Sequence, residues 1–302
     1  MPHLHSMAQK PVSFFSWLLF IILSVIWGSS FILMKLGLYD ANGKAVLSAY
    51  QVAALRMLAA GLCLLPFVVK AIREIPREKL KFIVLSGLLG SFFPAFLFCI
   101  AETKIDSALA GSLNALTPIF VILIGVFVYH TKVSRNNIIG VAIALAGCFL
   151  LLLAKYNGSG GNWLYTGYVI IATVLYGINV NVVKNRLQQV GSINIATIAF
   201  VSLIIPALLV LFFTGYFQLP LGNIVYIKAT GASALLGAAG TAIASVLFYM
   251  LVKRAGALFG SMVTYGIPFI AILWGMYYGE TVTMPQLVSL AIILAGVYIA
   301  NK

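Results

Sequence analysis

Long apolar runs alternate with short polar connections along the whole chain. Each run is close to the ~20 residues that a helix, rising about 1.5 Å per residue, needs to cross the hydrocarbon core of a membrane. A backbone in lipid has to satisfy its own hydrogen bonds, so the runs are predicted to be helices. The alternating short segments typical of a membrane β-barrel do not occur in this sequence. The pattern predicts ten helices: Phe14–Leu38, Val46–Val69, Leu80–Ala101, Ser107–Tyr129, Asn136–Leu153, Trp163–Val183, Ser192–Thr214, Lys228–Leu251, Ala257–Tyr278 and Pro285–Ala300.

Composition agrees with an all-α integral membrane protein. Hydrophobic residues make up 62% of the 302 positions and charged residues 8%, and the mean hydropathy is +1.08. A soluble domain has about 25% charged residues. The net charge of +13 does not indicate nucleic acid, because Lys and Arg collect in the cytoplasmic loops of membrane proteins. The three cysteines fall within apolar runs and lack the spacing of a disulfide framework or metal site, so we expect no metal and no cofactor.

The distribution of Lys and Arg between the connections predicts the orientation. With a cytoplasmic N-terminus, thirteen of these residues lie on the cytoplasmic side, in the tails and even-numbered connections. Four lie on the other side, namely Lys44, Lys104, Lys155 and Lys228. The positive-inside rule then predicts that both termini are cytoplasmic. The expected location of this multi-pass protein is the cell inner (plasma) membrane.

The two halves of the chain are related by an internal repeat with an offset of about 150 residues. Each half contains five predicted helices, an odd number, so the second half must enter the membrane from the opposite side. The sequence therefore predicts two inverted five-helix repeats, an architecture that supports alternating access to a central site. The matched positions are Trp27-Gly28 with Tyr176-Gly177, Lys35 with Lys184, Gly87 with Gly237, Gly90 with Gly240, Phe98 with Phe248, Pro118 with Pro268, Gly125 with Gly275, and Ala146-Gly147 with Ala295-Gly296.

These repeats give the predicted domain boundaries. Residues 1–13 form a cytoplasmic tail, residues 14–154 the first repeat, residues 155–162 an extracytoplasmic linker and residues 163–302 the second repeat.

Several segments resemble the EamA-type transporters of the drug/metabolite transporter superfamily. The segment from Ser107 to Phe120, SALAGSLNALTPIF, resembles the fourth-helix signature of that family, and Ala257 to Glu280 resembles its second copy. Trp27 to Phe31, WGSSF, is similar to the family's first-helix motif, and Ala54 to Arg56 to its second-helix motif. One departure is that His130 stands where the family often has a glutamate at the end of the fourth helix, whereas Glu280 is retained.

The resemblance implies a ten-helix transporter similar to bacterial amino-acid exporters. It implies a cavity formed by helices one to four and six to nine, with helices five and ten at the periphery. It also implies small amphipathic solutes, most of all amino acids or related metabolites, as the substrate. Exporters of drugs, or flippases of lipids and polar head groups, are the alternative within the same fold.

Arg56 is the charged residue placed deepest within a predicted helix. A charge near the membrane midplane is costly unless it is paired or hydrated, so Arg56 is predicted to face the interior. It is a candidate either for binding a substrate carboxylate or for holding backbone carbonyl groups in place. Lys35 lies near a helix end, where snorkelling to the membrane surface explains it.

Polar amides and hydroxyls occupy matching depths in the two repeats. Asn114 aligns with Thr264, and Asn179 with Ser30. These four side chains are predicted to line the cavity, although hydrogen bonding between helices is an alternative role for each. Asn181 is two positions from Asn179 and is predicted to lie on another face of the helix.

Aromatic residues within the helices are candidates for apolar cavity walls. Trp27 and Tyr176 match between the repeats, and Tyr265 lies next to Thr264. Packing is the alternative role for each of these side chains. The repeat-matched Pro118 and Pro268 each remove a helical hydrogen bond and are predicted to be flexible points for gating, with a simple packing kink as the alternative.

The predicted partners are a small-molecule substrate and the lipid bilayer, and the sequence allows a homo-oligomer without specifying one. Because no acidic residue lies centrally in a predicted helix, facilitated diffusion or exchange is expected rather than proton coupling. A membrane-embedded enzyme would need convergent nucleophiles, acid–base pairs or metal ligands, and the predicted helices carry no such set, so no catalytic residue is assigned.

Overall fold

The computed structural model describes residues 13–131, 134–156 and 162–300. Over these ranges its regular secondary structure is helical, apart from one isolated bridge between Tyr39 and Ala45. Most of the predicted tail, part of the predicted linker, Lys132 and Lys302 lie outside the described residues. The helices are α1 Phe14–Leu38, α2 Ala49–Glu74, α3 Arg77–Ala101, α4 Ser107–Tyr129, α5 Arg135–Tyr156, α6 Trp163–Arg186, α7 Ser192–Phe213, α8 Ile224–Gly256, α9 Met262–Tyr277 and α10 Met284–Ala300.

Eight of the described helices, α1 to α8, are long and apolar enough to cross a membrane, and α9 and α10 are apolar but shorter. Helical hydrogen bonding runs on from α8 to Ser261, but Gly256 has φ 88° and ψ 162°, so the chain changes direction there. Only glycine adopts this conformation readily. The turn at Gly256 therefore separates α8 from residues that the sequence places in the ninth helix.

The structure repeats its irregularities as well as its helices. A π-helical segment interrupts α3 at Leu88–Phe92, and another interrupts α8 at Ala238–Ile243, with an offset of 150 residues between their first positions. A π-turn adds one residue to a helical turn and is frequent at functional sites. The two repeats thus share an unusual backbone feature at the same depth.

The fourth and ninth helices are both broken near their centres. In α4 the first α-helical segment ends at Asn114 and the second begins at Thr117, whereas in α9 a 3₁₀ segment ends at Tyr265 and an α-helix begins at Ile267. Pro118 and Pro268 lie in the first turn of the second segment of each helix. A proline there lacks an N–H that would be unpaired in any case, so the break lies just before each proline, not at it.

Packing between the repeats places the core at the centre of the bundle. α1 packs against α8 and α9, and α3 packs against α6, so that each repeat contributes to both contacts. α5 and α10 pack mainly against each other, at the periphery. Close contact is possible there because Gly140 lies against the backbone of Gly296 and Ala300.

Candidate functional site

A cavity lies in the middle of the bundle, and residues of α1 to α4, α6, α8 and the α9 region line it. Seven of the eight predicted substrate-binding residues are among its lining residues: Trp27, Ser30, Arg56, Asn114, Tyr176, Asn179 and Thr264. Tyr265, Pro118 and Pro268 are not among them. Tyr265 is half-buried and packs against the main hydrophobic core instead.

Arg56 reaches the cavity from α2 and is held by α8. Its side chain is buried, with 8% of its surface exposed, and Nε donates a 2.7 Å hydrogen bond to Thr241 Oγ1. Thr241 lies in the π-helical part of α8. It in turn donates through Oγ1 to the carbonyl of Leu236, five residues earlier, at 3.2 Å. The irregular backbone thus supplies the group that orients the arginine.

The amide of Asn179 belongs to a polar cluster on the cavity wall. Its Oδ1 accepts a 2.6 Å hydrogen bond from Ser86 Oγ, and Ser86 Oγ lies 3.4 Å from the Tyr249 hydroxyl. Gly90 faces the same amide, and a side chain at this position would collide with it. Ser86, Asn179 and Gly90 therefore join α3 and α6 around one polar group.

The matching positions in the other repeat, Ser30 and Gly240, again place a glycine against a polar side chain. Gly240 faces Ser30, so that an added Cβ would lie 2.9 Å from Ser30 Oγ. The Trp27 indole donates a 3.1 Å hydrogen bond to the Gly240 carbonyl, which joins α1 to α8. The glycine beside a polar residue is thus a repeated element of the site.

Two pairs of aromatic rings form apolar walls, and each pair contains one ring from each repeat. Trp27 lies over Phe248 with 5.2 Å between the ring centroids, and Tyr176 stacks on Phe98 at 6.0 Å. The members of the two pairs match at the repeat offset, so the inverted symmetry extends to side chains. All four rings line the cavity.

Asn114 is the last residue before the break in α4. Thr117 donates through Oγ1 to the Asn114 carbonyl at 2.8 Å and lies 3.4 Å from its side-chain Oδ1. The hydroxyl of Thr117 thereby pairs a carbonyl that the interrupted helix leaves free.

Sequence reasoning missed the cavity residues Thr241 and Tyr249, and it missed Ser86, which bonds to the cavity residue Asn179. The available signal was that Thr241 and Ser91 are polar and match at the offset of 150 residues, and both line the cavity. Asn181 lies between helices, as expected from its face: its Nδ2 donates to the carbonyls of Val121 and Gly177, each at 2.9 Å.

A second polar site closes one end of the bundle, outside the cavity. The Glu280 carboxylate accepts hydrogen bonds from the backbone N–H groups of Ser107 and Ala108, each at 3.0 Å. Lys35 Nζ lies 3.5 Å from Glu280 Oε1, so Lys35 has an ion-pair partner and does not only snorkel. We call Glu280, Lys35 and the start of α4 the α4 clasp.

The structure corrects the residue that corresponds to Glu280 in the first repeat. Glu280 follows the left-handed Gly279, and its side chain lies against Gly275. Thr131 follows the left-handed His130, and its hydroxyl lies against the matching Gly125. Thr131, not His130, therefore occupies the position of Glu280, because the helix end differs by one residue between the repeats.

Glu102 lies beside the α4 clasp, one residue beyond α3. The residue is 1% exposed, Oε2 accepts a 3.4 Å hydrogen bond from Ser107 Oγ, and Oε1 has no hydrogen-bond partner among the described residues. Burial raises the pKa of this carboxyl well above its ordinary value, and the neighbouring positive charge of Lys35 opposes that change. A buried carboxyl with one unpaired oxygen favours the neutral form.

The cavity at the repeat interface, the broken helices and the paired aromatic walls are features of a transporter. The EamA-like transporter family matches residues 15–153 and again residues 163–302. The chain belongs to this family. It is therefore a multi-pass integral membrane transporter of the inner membrane, with a small-molecule substrate and the lipid bilayer as its partners.

Two relatives in this family have names that describe efflux. A protein of Salmonella typhimurium named "Probable amino-acid metabolite efflux pump" is 25% identical over 301 residues, which covers 92% of each chain. A protein of Streptantibioticus cattleyicolor named "Probable terminal-alkyne amino-acid exporter" is 26% identical over 297 residues, covering 93% of this chain and 92% of the relative.

Solved structures show the same fold. One crystal structure superposes with a TM-score of 0.65 over 94% of this chain and 96% of the other chain, at 17% sequence identity. The shared fold thus extends over almost the entire length of both chains.

Proposed function

We propose that the protein exports or exchanges small amphipathic solutes, amino acids or related metabolites, through its central cavity by alternating access. The observation that carries this proposal is the combination of Arg56, Asn114 and Asn179 with two aromatic walls around one cavity. Polar groups that fix a ligand's orientation, set among apolar side chains, are typical of small-molecule sites. The two relatives named for amino-acid metabolites and amino acids support this substrate class.

The proposed topology has ten membrane crossings with both termini in the cytoplasm. Eight of the described helices have the length and composition for this, and the turn at Gly256 supports a ninth crossing that begins with residues 257–261. The excess of Lys and Arg on the predicted cytoplasmic side supports the orientation. The α4 clasp then lies at the extracytoplasmic end.

The breaks in α4 and α9 are the proposed hinges of alternating access. Each break lies where Asn114 or Thr264 faces the cavity, and each is followed by a proline in the next helical turn. Discontinuous helices at the repeat interface are the elements that bind substrate and move in transporters of this architecture. Pro118 and Pro268 contribute by preventing continuous helical hydrogen bonding across the breaks.

Transport is proposed to be driven by the substrate gradient. All six Asp and Glu residues of the chain are described by the structure, and none of them lines the cavity. A proton-coupled carrier normally has a carboxylate in the membrane interior. If net accumulation in proteoliposomes depended on an inward proton gradient, this form of the mechanism would be wrong.

Counterflow in proteoliposomes tests the transport function directly. Vesicles loaded with unlabelled solute should accumulate the labelled form transiently, for a panel of aromatic and aliphatic amino acids and their derivatives. Protein-free vesicles and vesicles with heat-inactivated protein provide the baseline. Failure of counterflow across the whole panel would reject the proposed substrate class.

Asn114→Ala tests the site in the same assay. We expect KM to rise several-fold, because the amide faces the cavity and is 5% exposed. Asn185→Ala is the matched control, since Asn185 is an exposed amide on α6 outside the cavity. Equal kinetics for Asn114→Ala and the unmodified protein would remove Asn114 from the binding site.

A further inference from the structure

The charges around the cavity are unbalanced. Arg56 is the one Lys or Arg among the lining residues that the structure describes, and no Asp or Glu accompanies it. The six acidic residues of the chain all lie elsewhere, in connections or at helix ends: Asp40, Glu74, Glu78, Glu102, Asp106 and Glu280. The cavity therefore has a net charge of about +1 at neutral pH, since an arginine side chain stays protonated in proteins.

Arg56 has no carboxylate partner among the residues that the structure describes. Ion pairs between described residues join Lys35 to Glu280, Lys70 to Glu74 and Lys79 to Glu78, and none includes Arg56. Its hydrogen bond to Thr241 uses one of the five N–H groups of the guanidinium. A buried cation with remaining donors is costly in a membrane interior unless it is paired or hydrated, and a ligand carboxylate in the cavity would supply such a pair.

Glu102 does not supply the missing negative charge. It is not among the lining residues, and one of its carboxyl oxygens has no hydrogen-bond partner in the part of the chain that the structure describes. Burial raises its pKa well above the ordinary value, which favours the neutral acid.

The lining residues that the structure describes include no carboxylate that could pair with an ammonium ion. Asn179 Oδ1 already accepts a hydrogen bond from Ser86 at 2.6 Å, and Asn114 Oδ1 lies 3.4 Å from the Thr117 hydroxyl. The nearest fixed charge to a bound ammonium would be Arg56 itself, which repels it. A free amino group on the ligand would thus find no negative charge among the described lining residues.

We propose that the cavity selects a net anion: an amphipathic monocarboxylate whose carboxylate pairs with Arg56 and whose apolar part packs between the aromatic walls. A free amino group is not required. Deaminated or N-acylated derivatives of amino acids bind at least as well as the amino acids themselves. This inference rests on the proposed transport function and deepens it by giving the charge of the ligand.

Four compounds with the same aromatic body separate the charges. L-phenylalanine is a zwitterion, N-acetyl-L-phenylalanine and 3-phenylpropionate are anions, and L-phenylalaninamide is a cation at pH 7 in its larger fraction. Binding to the detergent-solubilised protein is measured by thermal shift over a concentration series, and the same compounds are used as competitors in counterflow. We expect both anions to bind as tightly as phenylalanine or more tightly, and the cation to bind at least about tenfold more weakly, as expected for loss of a charge-assisted pair.

Two substitutions assign this preference to the arginine. Arg56→Gln should reduce the difference in Kd between N-acetylphenylalanine and phenylalaninamide to about threefold or less, because the ion pair is lost. Thr241→Val keeps the charge but removes the hydrogen bond from Nε, and should weaken anion binding without changing the binding of the cation, so that the anion preference becomes smaller. Lys228→Gln, which removes an exposed charge from α8 outside the cavity, is the matched control and should leave all four Kd values unchanged.

The outcomes distinguish this inference from the transport function. Binding of the anions without counterflow would reject transport of this class and would still support the proposed preference for anions. Counterflow of phenylalanine would support transport in either of two cases that overturn the anion preference. In the first, the cation binds as tightly as phenylalanine; in the second, both anions bind more than tenfold more weakly than phenylalanine. Absence of binding by both aryl carboxylates overturns the inference as well. If Arg56→Gln unfolds, loss of anion affinity in Thr241→Val without a change for the cation provides the second test.

Discussion

Glu280 Oε2 accepts a hydrogen bond from the backbone N–H of Ala108 at 3.0 Å, and so connects the end of α9 to the start of α4. Glu280 Oε1 accepts a second bond, from the Ser107 N–H, at the same distance. The first N–H groups of a helix have no partner within the helix, and the helix dipole favours a negative charge there. Glu280 therefore caps a helix of the other repeat, and the Lys35 charge reinforces the contact.

Glu280→Gln is expected to destabilise the protein by about 1–3 kcal/mol, because an amide can accept at only one atom and has no charge. Thermal unfolding of the detergent-solubilised protein measures the change. Glu78→Gln is the control, since its carboxylate is 76% exposed and pairs with Lys79 at 3.9 Å. Equal midpoints for the two variants would mean that the α4 clasp adds nothing to stability.

Gly237→Ala is expected to separate α8 from α2. An added Cβ would lie 2.7 Å from the Ala59 Cβ and would press on the Arg56 carbonyl, so we expect a loss of about 1–3 kcal/mol. Gly231→Ala in the same helix has nothing within 4 Å of the added atom and should be neutral or stabilising by up to about 1 kcal/mol. Thermal midpoints of both variants test this contact, and similar midpoints would contradict it.

The burial of the Glu102 carboxyl predicts that the stability of the protein depends on pH. Burial raises the folded-state pKa of this carboxyl above the ordinary value of 4.5, so its contribution is fully present below about pH 4.5 and is lost as pH rises through the folded pKa. Glu102→Gln, which keeps the shape and stays neutral, should therefore flatten the decline of the thermal midpoint with rising pH. The difference between variant and wild type should grow from pH 4.5 towards pH 8, whereas Glu78→Gln should follow wild type. A constant difference over that range would show that Glu102 does not titrate there.

Asn179 and Asn181 should give opposite results, although both are amides on α6. Asn179→Ala removes the acceptor of Ser86 on the cavity wall, and we expect KM for counterflow to rise several-fold. Asn181→Ala removes two hydrogen bonds at the contact with α4 and should cost about 0.6 kcal/mol in stability with KM unchanged. A raised KM in the second variant, with normal kinetics in the first, would reverse the roles assigned to the two amides.

Much of the architecture was predictable because the membrane leaves few alternatives. The limits of α1, Phe14 and Leu38, coincide with the apolar run, since both ends are set by polar residues. The offset of about 150 residues identifies the matched aromatic and glycine positions from the sequence alone. Seven of the eight predicted binding residues face the cavity because polar side chains within spans rarely face lipid.

The remaining features depend on contacts that the sequence does not display. Tyr265 follows Thr264, but consecutive residues of a helical turn point in different directions, and only Thr264 lines the cavity. The partner of Lys35 is in the other repeat, and no local pattern indicates it. The role of Thr241 depends on a π-turn that shifts the Leu236 carbonyl out of normal helical pairing, which hydrophobic periodicity does not reveal.

The two π-turns also bear on the history of the chain. A single inserted residue in an α-helix rotates everything beyond it by about 100° and would normally be selected against. Here the insertion occurs in both α3 and α8, and the residues after it stay in step, with Phe98 matched to Phe248. Duplication of a five-helix unit that already contained the extra residue would produce such a matched pair, in which each half contributes one π-turn to the cavity wall.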